Sequence, residues 1–199
     1  MKRSFLYVVI IVVSLVASVD RSFAKQGLYL GAEILYNNIS GDFDGTNGPD
    51  SDDGGGVGLI LGYGFTPNFS AQLNLDVSFH DASVVTGSPV SDSTLNAFLL
   101  VVKYNFLSGQ QLRPYVNGGL GVFSFNIDDP FLDVELSGDG LQLGLGVDYI
   151  ISPNISFGFG IERWFIDYDE MDVGGLTLAL TPEVGGDTTS VKINSVFYF

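Results

Sequence analysis

The chain has 199 residues, with 26 glycines, 16 Phe, 9 Tyr, one Trp and no cysteine. Glycine is costly in helix interiors while aromatics favour strands, which argues against a helical protein, and without cysteine there is no disulfide framework, thiol catalysis, zinc–thiolate site or lipoprotein acylation. A formal charge of −15 argues against nucleic acid or an anionic headgroup as a direct partner and suits metal cations or basic molecules.

Residues 1–24 read as a secretory signal. Lys2 and Arg3 form a basic start, Phe5 to Ala17 is an apolar run of 13 residues, and Ser22-Phe23-Ala24 fits a small-x-small cleavage site. A run of that length is too short for a membrane-crossing helix, which needs about 20 residues. Removal takes Lys2, Arg3, Asp20 and Arg21, leaving five basic and 22 acidic residues in 25–199, a formal charge of −17.

Within 25–199, eight segments alternate apolar and polar with period two, the mark of strands with one apolar face. The first runs from Gly27 to about Asn37, with Leu28, Leu30, Ala32, Ile34 and Tyr36 on one face. The second carries Val57, Leu59, Leu61, Tyr63 and Phe65, and the third Phe69, Ala71, Leu73, Leu75, Val77 and Phe79. The fourth has Phe98, Leu100, Val102, Tyr104 and Phe106, and the fifth Val116, Gly118, Leu120 and Val122. The sixth has Leu141, Leu143, Leu145, Val147, Tyr149 and Ile151, and the seventh Ile155, Phe157, Phe159, Ile161 and Phe165. The eighth closes the chain with Val191, Ile193, Ser195, Phe197 and Phe199.

The connections alternate long and short. Thr66-Pro67-Asn68, Ser108-Gly109-Gln110-Gln111 and Ser152-Pro153-Asn154 carry turn chemistry, whereas long loops are expected over residues 38–55, 81–94, 126–140 and 166–188. Three features place the apolar face outside. Glycines crowd the opposite face, among them Gly31, Gly58, Gly62, Gly119, Gly144 and Gly158, as a narrow interior requires. Aromatics such as Tyr36, Phe65, Phe69, Phe106, Tyr149 and Phe199 finish the apolar face at strand ends. The acids outside the loops, Glu33, Asp76, Asp148 and Glu162, are all on the polar face, with Lys103 and Lys192. Arg163 is the exception, facing lipid by parity unless a bulge turns it inward. The expectation is an all-β, eight-stranded antiparallel up-and-down transmembrane β-barrel, in which lipid-exposed backbone is fully paired.

Gly27-Leu28-Tyr29-Leu30-Gly31-Ala32, Gly62-Tyr63-Gly64-Phe65-Thr66-Pro67-Asn68, Lys103-Tyr104-Asn105-Phe106, Arg113-Pro114-Tyr115-Val116 and Gly144-Leu145-Gly146-Val147-Asp148-Tyr149, in that order and with a terminal Phe199, resemble the OmpA/OmpX-like family of small eight-stranded outer-membrane barrels. The resemblance spans essentially all of 25–199. It implies a Gram-negative outer-membrane location with both termini periplasmic, contact with outer-membrane lipid and lipopolysaccharide, and a monomer. It also implies an assembly signal at Phe197 and Phe199 read by the outer-membrane assembly machinery. No peptidoglycan-binding domain is expected beyond Phe199. The family includes scaffolds, adhesins, small pores and enzymes, so membership alone leaves the task open.

Three groups of residues could carry chemistry. Glu33, Asp76, Asp148 and Glu162 face Lys103 and Lys192 in a lumen with room for side chains or one small ligand, a charge network that either plugs the barrel or lines a narrow path for ions. In the first long loop, Asp42, Asp44, Asp50, Asp52 and Asp53 supply hard oxygen ligands of the kind Ca²⁺ takes, although Asn47 replaces the glycine an EF-hand loop requires; no other cofactor is expected. The segments 128–139 and 167–172 are likewise acidic and contain no Lys or Arg. Finally, Ser78 and His80, with Asp76, share one face. Same-face strand neighbours lie about 7 Å apart, too far for a direct relay without bending, and all three point away from lipid. The reading is therefore a non-enzymatic outer-membrane barrel with a plugged polar lumen and acidic extracellular loops, serving envelope integrity or surface adhesion; the alternatives are a narrow channel and a lipid-modifying enzyme.

Overall fold

The computed structural model describes residues 26–40, 50–51, 53–83, 91–107, 109–128 and 133–199; the expected signal segment lies outside them. These residues form eight long strands: β1 (Gly27–Ser40), β2 (Gly54–Gly64), β3 (Phe69–Ser83), β4 (Ser91–Asn105), β5 (Leu112–Asp128), β6 (Asp133–Ser152), β7 (Ile155–Val173) and β8 (Leu176–Tyr198). A two-residue pairing of Asp50–Ser51 with Ala82–Ser83 extends the sheet beyond β2. Every strand is antiparallel to its sequence neighbours, and β8 returns to β1 from Tyr29↔Tyr198 to Ser40↔Asp187, closing the sheet on itself. Even the last residue is held, its amide donating to the Leu28 carbonyl at 3.1 Å.

The stagger follows from the register. Tracing partners from Tyr29 through Gly62, Gln72, Val101, Gly119, Gln142, Trp164 and Thr188 returns to β1 at Ile39, ten positions beyond the start. Closure with such a shear tilts strands by roughly 35–45° and leaves an interior just wide enough for side chains.

One end of the barrel is made of short turns. The Thr66 hydroxyl accepts from the amides of Asn68 and Phe69 at 3.2 and 2.9 Å, and the Asn154 side chain donates to the Tyr198 carbonyl at 2.8 Å, tying the β7 turn to the final strand. The other end differs from the sequence-based expectation. Segments 126–140 and 166–188, expected as loops, are mostly ladder: β5 and β6 stay paired out to Asp128↔Asp133. β7 and β8 are joined by a two-residue Gly174-Gly175 turn with φ of 59° and 86°, the left-handed pair that hairpin turns require. The β5–β8 ladders thus continue past the apolar band with the stripe reversed: Ile127, Leu136, Ile166 and Tyr168 are buried on the inward face while acids such as Asp139 and Asp167 are exposed on the other.

The outward face carries the apolar residues expected of it, including Ile34, Leu59, Leu75, Leu120, Leu145 and Ile193, all exposed. At the short-turn end Tyr63, Phe65, Phe69, Tyr104, Phe106, Tyr149, Phe197 and Phe199 form an aromatic girdle, with Tyr104–Phe106 and Phe197–Phe199 ring centroids 5.2 Å apart. Tyr36, Phe79 and Phe165 mark the other limit. Just beyond it Asp139 pairs in register with Asp167, and Asp187 with Phe165, ending the apolar band. The order girdle, aliphatic band, girdle, acid is that of a barrel wall in lipid.

Position along this band sets the cost of a charge. Leu145→Arg, midway up β6, is expected to destabilise by about 2–4 kcal/mol and Asp139→Arg by about 0–1 kcal/mol, measured by urea unfolding from lipid vesicles; equal losses would contradict the placement of the band.

Candidate functional site

Alternation sends every second residue into the lumen, and the stagger brings distant strands to one level there. Lys192 of β8 stands at the centre, 98% buried. Its ammonium donates to Glu33 of β1 at 3.0 Å, Asp76 of β3 at 2.7 Å and Glu162 of β7 at 3.0 Å. Glu162 also accepts from the Asn117 side chain at 2.9 Å and the Trp164 indole at 3.4 Å. Glycines make the room: a Cβ on Gly58 would collide with Asp76, and one on Gly144 with Asn117. A buried ion group of this kind is tolerated only with such dense pairing.

The remaining two members of the expected network form a separate pair nearer the short turns. Lys103 meets Asp148 at 2.8 Å, and its ammonium lies 3.8 Å from the centre of the Tyr115 ring. Arg113, absent from the sequence-based set although it shares the inward parity of Tyr115, is buried beside them and donates to the Gln110 carbonyl at 2.9 Å. Around these groups a cleft bordered by Thr66, Tyr29, Lys103, Tyr115, Tyr198 and Glu33 offers about 40 Å³ to water-sized occupants. At ~10–15 Å³ per water, that is roughly three or four molecules.

Toward the long hairpins one wall of the lumen is apolar, which corrects the expectation of a uniformly polar interior. Leu95, Ala97, Leu99 and Val101 of β4, Phe123, Phe125 and Ile127 of β5, Leu136 of β6 and Trp164, Ile166 and Tyr168 of β7 pack into one buried apolar cluster. The Phe123 and Trp164 ring centroids are 5.5 Å apart. The signal was the run Ala97-Phe98-Leu99-Leu100-Val101-Val102, apolar on both faces, which is what a strand between lipid and an apolar interior must show.

The opposite wall at this level carries the Ser78–His80 pair. Their side chains lean together, with Ser78 Oγ 2.8 Å from His80 Nε2, and Asn37 donates to Ser78 Oγ at 3.0 Å. The expectation that strand spacing keeps them apart was therefore wrong. Asp76 takes no part, being turned to Lys192. Both Ser78 and His80 are buried within the lumen.

Of the acidic-loop residues, Asp42, Asp44 and Asp52 lie outside the described residues. Asp50 is described only in its backbone pairing with Ser83. Asp53 accepts hydrogen bonds from the Tyr36 hydroxyl and the Asn38 amide, which hold its carboxyl below the usual range. Among the described residues no group of three potential metal ligands converges. Arg163 faces outward near the limit of the apolar band, paired at 2.7 Å with both Asp187 and Thr189. Phe197 and Phe199 lie in the girdle.

The chain matches the family model described as outer membrane protein beta-barrel domain over residues 5–182. Similar solved structures are Neisserial surface protein A (NspA), at 16% identity and TM-score 0.66, covering 86% of this chain and 97% of that one. OprG from Pseudomonas aeruginosa follows at 16% and 0.61, covering 88% and 97%. Ail, the attachment invasion locus protein of Yersinia pestis, gives 12% and 0.54, covering 86% and 97%. No curated protein matches.

Truncating one cation tests which contacts the lumen depends on. Lys192→Met strands three carboxylates and is expected to lower the unfolding free energy by about 3–5 kcal/mol, or to prevent refolding. Lys103→Met strands one, beside the hydrated cleft, and loses less. A larger loss at Lys103 in urea unfolding would contradict this ranking.

Proposed function

The chain belongs to the outer membrane protein beta-barrel domain family, and on that premise we propose that it is a closed, non-conducting outer-membrane barrel whose projecting acidic hairpins serve surface interaction or envelope integrity. Both termini and the short turns are periplasmic in this reading, and the β6–β8 hairpins stand outside the cell. Lipid and lipopolysaccharide cover the aromatic-girdled band, and the assembly machinery reads Phe197 and Phe199. The protein acts as a monomer.

The observation that carries the proposal is the filled lumen. A narrow channel through Lys103, Lys192, Glu33 and Glu162 would have to pass the level of Leu99, Phe123 and Trp164, all buried and packed. Enzymatic work on lipid is disfavoured because Ser78 and His80 face inward, away from any lipid substrate. With conduction and catalysis set aside, the hairpins are the part free to act. Their acids, including Asp139, Asp167, Asp172 and Asp187, define the partner as basic. Ail has been crystallised with the heparin analogue sucrose octasulfate; a chain with a formal charge of −15 repels such a polyanion, so the role proposed here differs in partner charge.

Planar-bilayer recording of the protein refolded in lipid, with folding verified separately, tests the reading. Wild type and Lys103→Met are both expected to be silent. Discrete openings whose conductance changes in Lys103→Met would replace the closed barrel with the channel.

A further inference from the structure

The Lys192 group does not balance in charge. One ammonium faces three carboxyl groups at 2.7–3.0 Å, and among the described residues no other lysine or arginine donates to them; the buried His80 has its Nε2 on Ser78 Oγ. Lys103 of β4 is engaged by Asp148 of β6, and Arg113 of β5 sits at the short-turn mouth beside Tyr115 and Tyr198. A buried charge left without a counter-charge takes or loses a proton instead.

Geometry selects the carboxyl that does so. Glu162 receives Lys192, Asn117 and Trp164, three donors that suit a carboxylate. Asp76 receives Lys192 on Oδ2, while its buried Oδ1 is left without a donor from any nitrogen or hydroxyl. Among the described residues Glu33 receives Lys192 on Oε1, and it lies on the opposite side of Gly58 from Asp76. The register explains the meeting: Gly58 is the ladder partner of Glu33 on one side and of Asp76 on the other. A Cβ there would collide with Asp76 Oδ1 and lie 3.0 Å from Glu33 Oε1. Glycine leaves the space over β2 into which both carboxyl groups extend.

We propose that the barrel holds one proton between Glu33 and Asp76, Glu33 donating it to Asp76 Oδ1 across Gly58, and exchanges it through the cleft that leads from Glu33 to the short-turn end. The proton reduces the group to one ammonium and two carboxylates and gives the orphaned oxygen its donor. Loss of the proton sets two neighbouring carboxylates against a single shared ammonium, so the lumen is tightest in its protonated form. The proposal goes beyond the closed-barrel reading and holds whether or not the lumen conducts, since its test reads the proton and not a current.

Infrared spectroscopy of the protein refolded in lipid vesicles at about pH 7 reads it directly. A protonated-carboxyl stretch is expected in wild type, moving when only glutamate side-chain carboxyls carry ¹³C, lost in Glu33→Gln and kept in Glu162→Gln. Absence of the band in wild type, or its loss in Glu162→Gln with persistence in Glu33→Gln, would overturn the assignment. The labelled wild type decides the matter even where a variant does not refold.

Discussion

Lipid offers the backbone no hydrogen-bonding partner, so every strand crossing it must be paired on both sides. The closure of β1 on β8 meets that demand, and the rest of the structure follows from how it is met. Eight strands with a ten-residue stagger enclose a space of side-chain width. Half of all strand residues are directed into it, and whatever is polar in the wall has nowhere else to go. Large inward groups then need empty neighbours: a Cβ on Gly62 would strike the Tyr29 ring, and one on Gly160 the Tyr115 hydroxyl. The abundance of glycine is a property of the lumen.

That lumen is filled by two chemistries in series. Near the short turns, ions and amides satisfy one another, at the expense of desolvation that only close pairing offsets. Toward the long hairpins, aromatic and aliphatic side chains fill one wall of the space, facing a smaller polar wall in which Asn37, Ser78 and His80 bond to one another. Trp164 joins the halves, its ring in the apolar cluster, its indole N–H on Glu162, and the Lys192 ammonium 5.2 Å from its ring centre. A barrel packed in this way has its exposed chemistry at its ends, which moves the functional question from the lumen to the acidic hairpins.

The outward faces could be read residue by residue, because lipid on one side and a packed lumen on the other impose strict alternation on Leu28 to Tyr36 or Phe69 to Phe79. Parity likewise put Glu33, Asp76, Asp148, Glu162, Lys103 and Lys192 in the interior. Their grouping was not legible. Lys192 meets Asp76 across 116 positions, a contact set by the stagger, which no local pattern records. The projecting ends of β6 to β8 read as loops because the pattern reverses there, acids such as Asp139 and Asp167 facing outward while Leu136, Ile166 and Tyr168 are buried inside. The apolar wall had a visible signature in Ala97–Val102, overshadowed by the single outward stripe sought in each strand. Ser78 and His80 were judged from backbone spacing, whereas their side chains lean together.

The chain contains one tryptophan, and it sits at the junction on which closure depends. Its fluorescence in lipid vesicles is the most direct test of the sealed lumen. The account predicts blue-shifted emission from Trp164, quenched neither by iodide added to both sides of the membrane nor by brominated lipid tails. Quenching by iodide would mean that water and ions reach the centre of the barrel, and the closed-lumen account would fail.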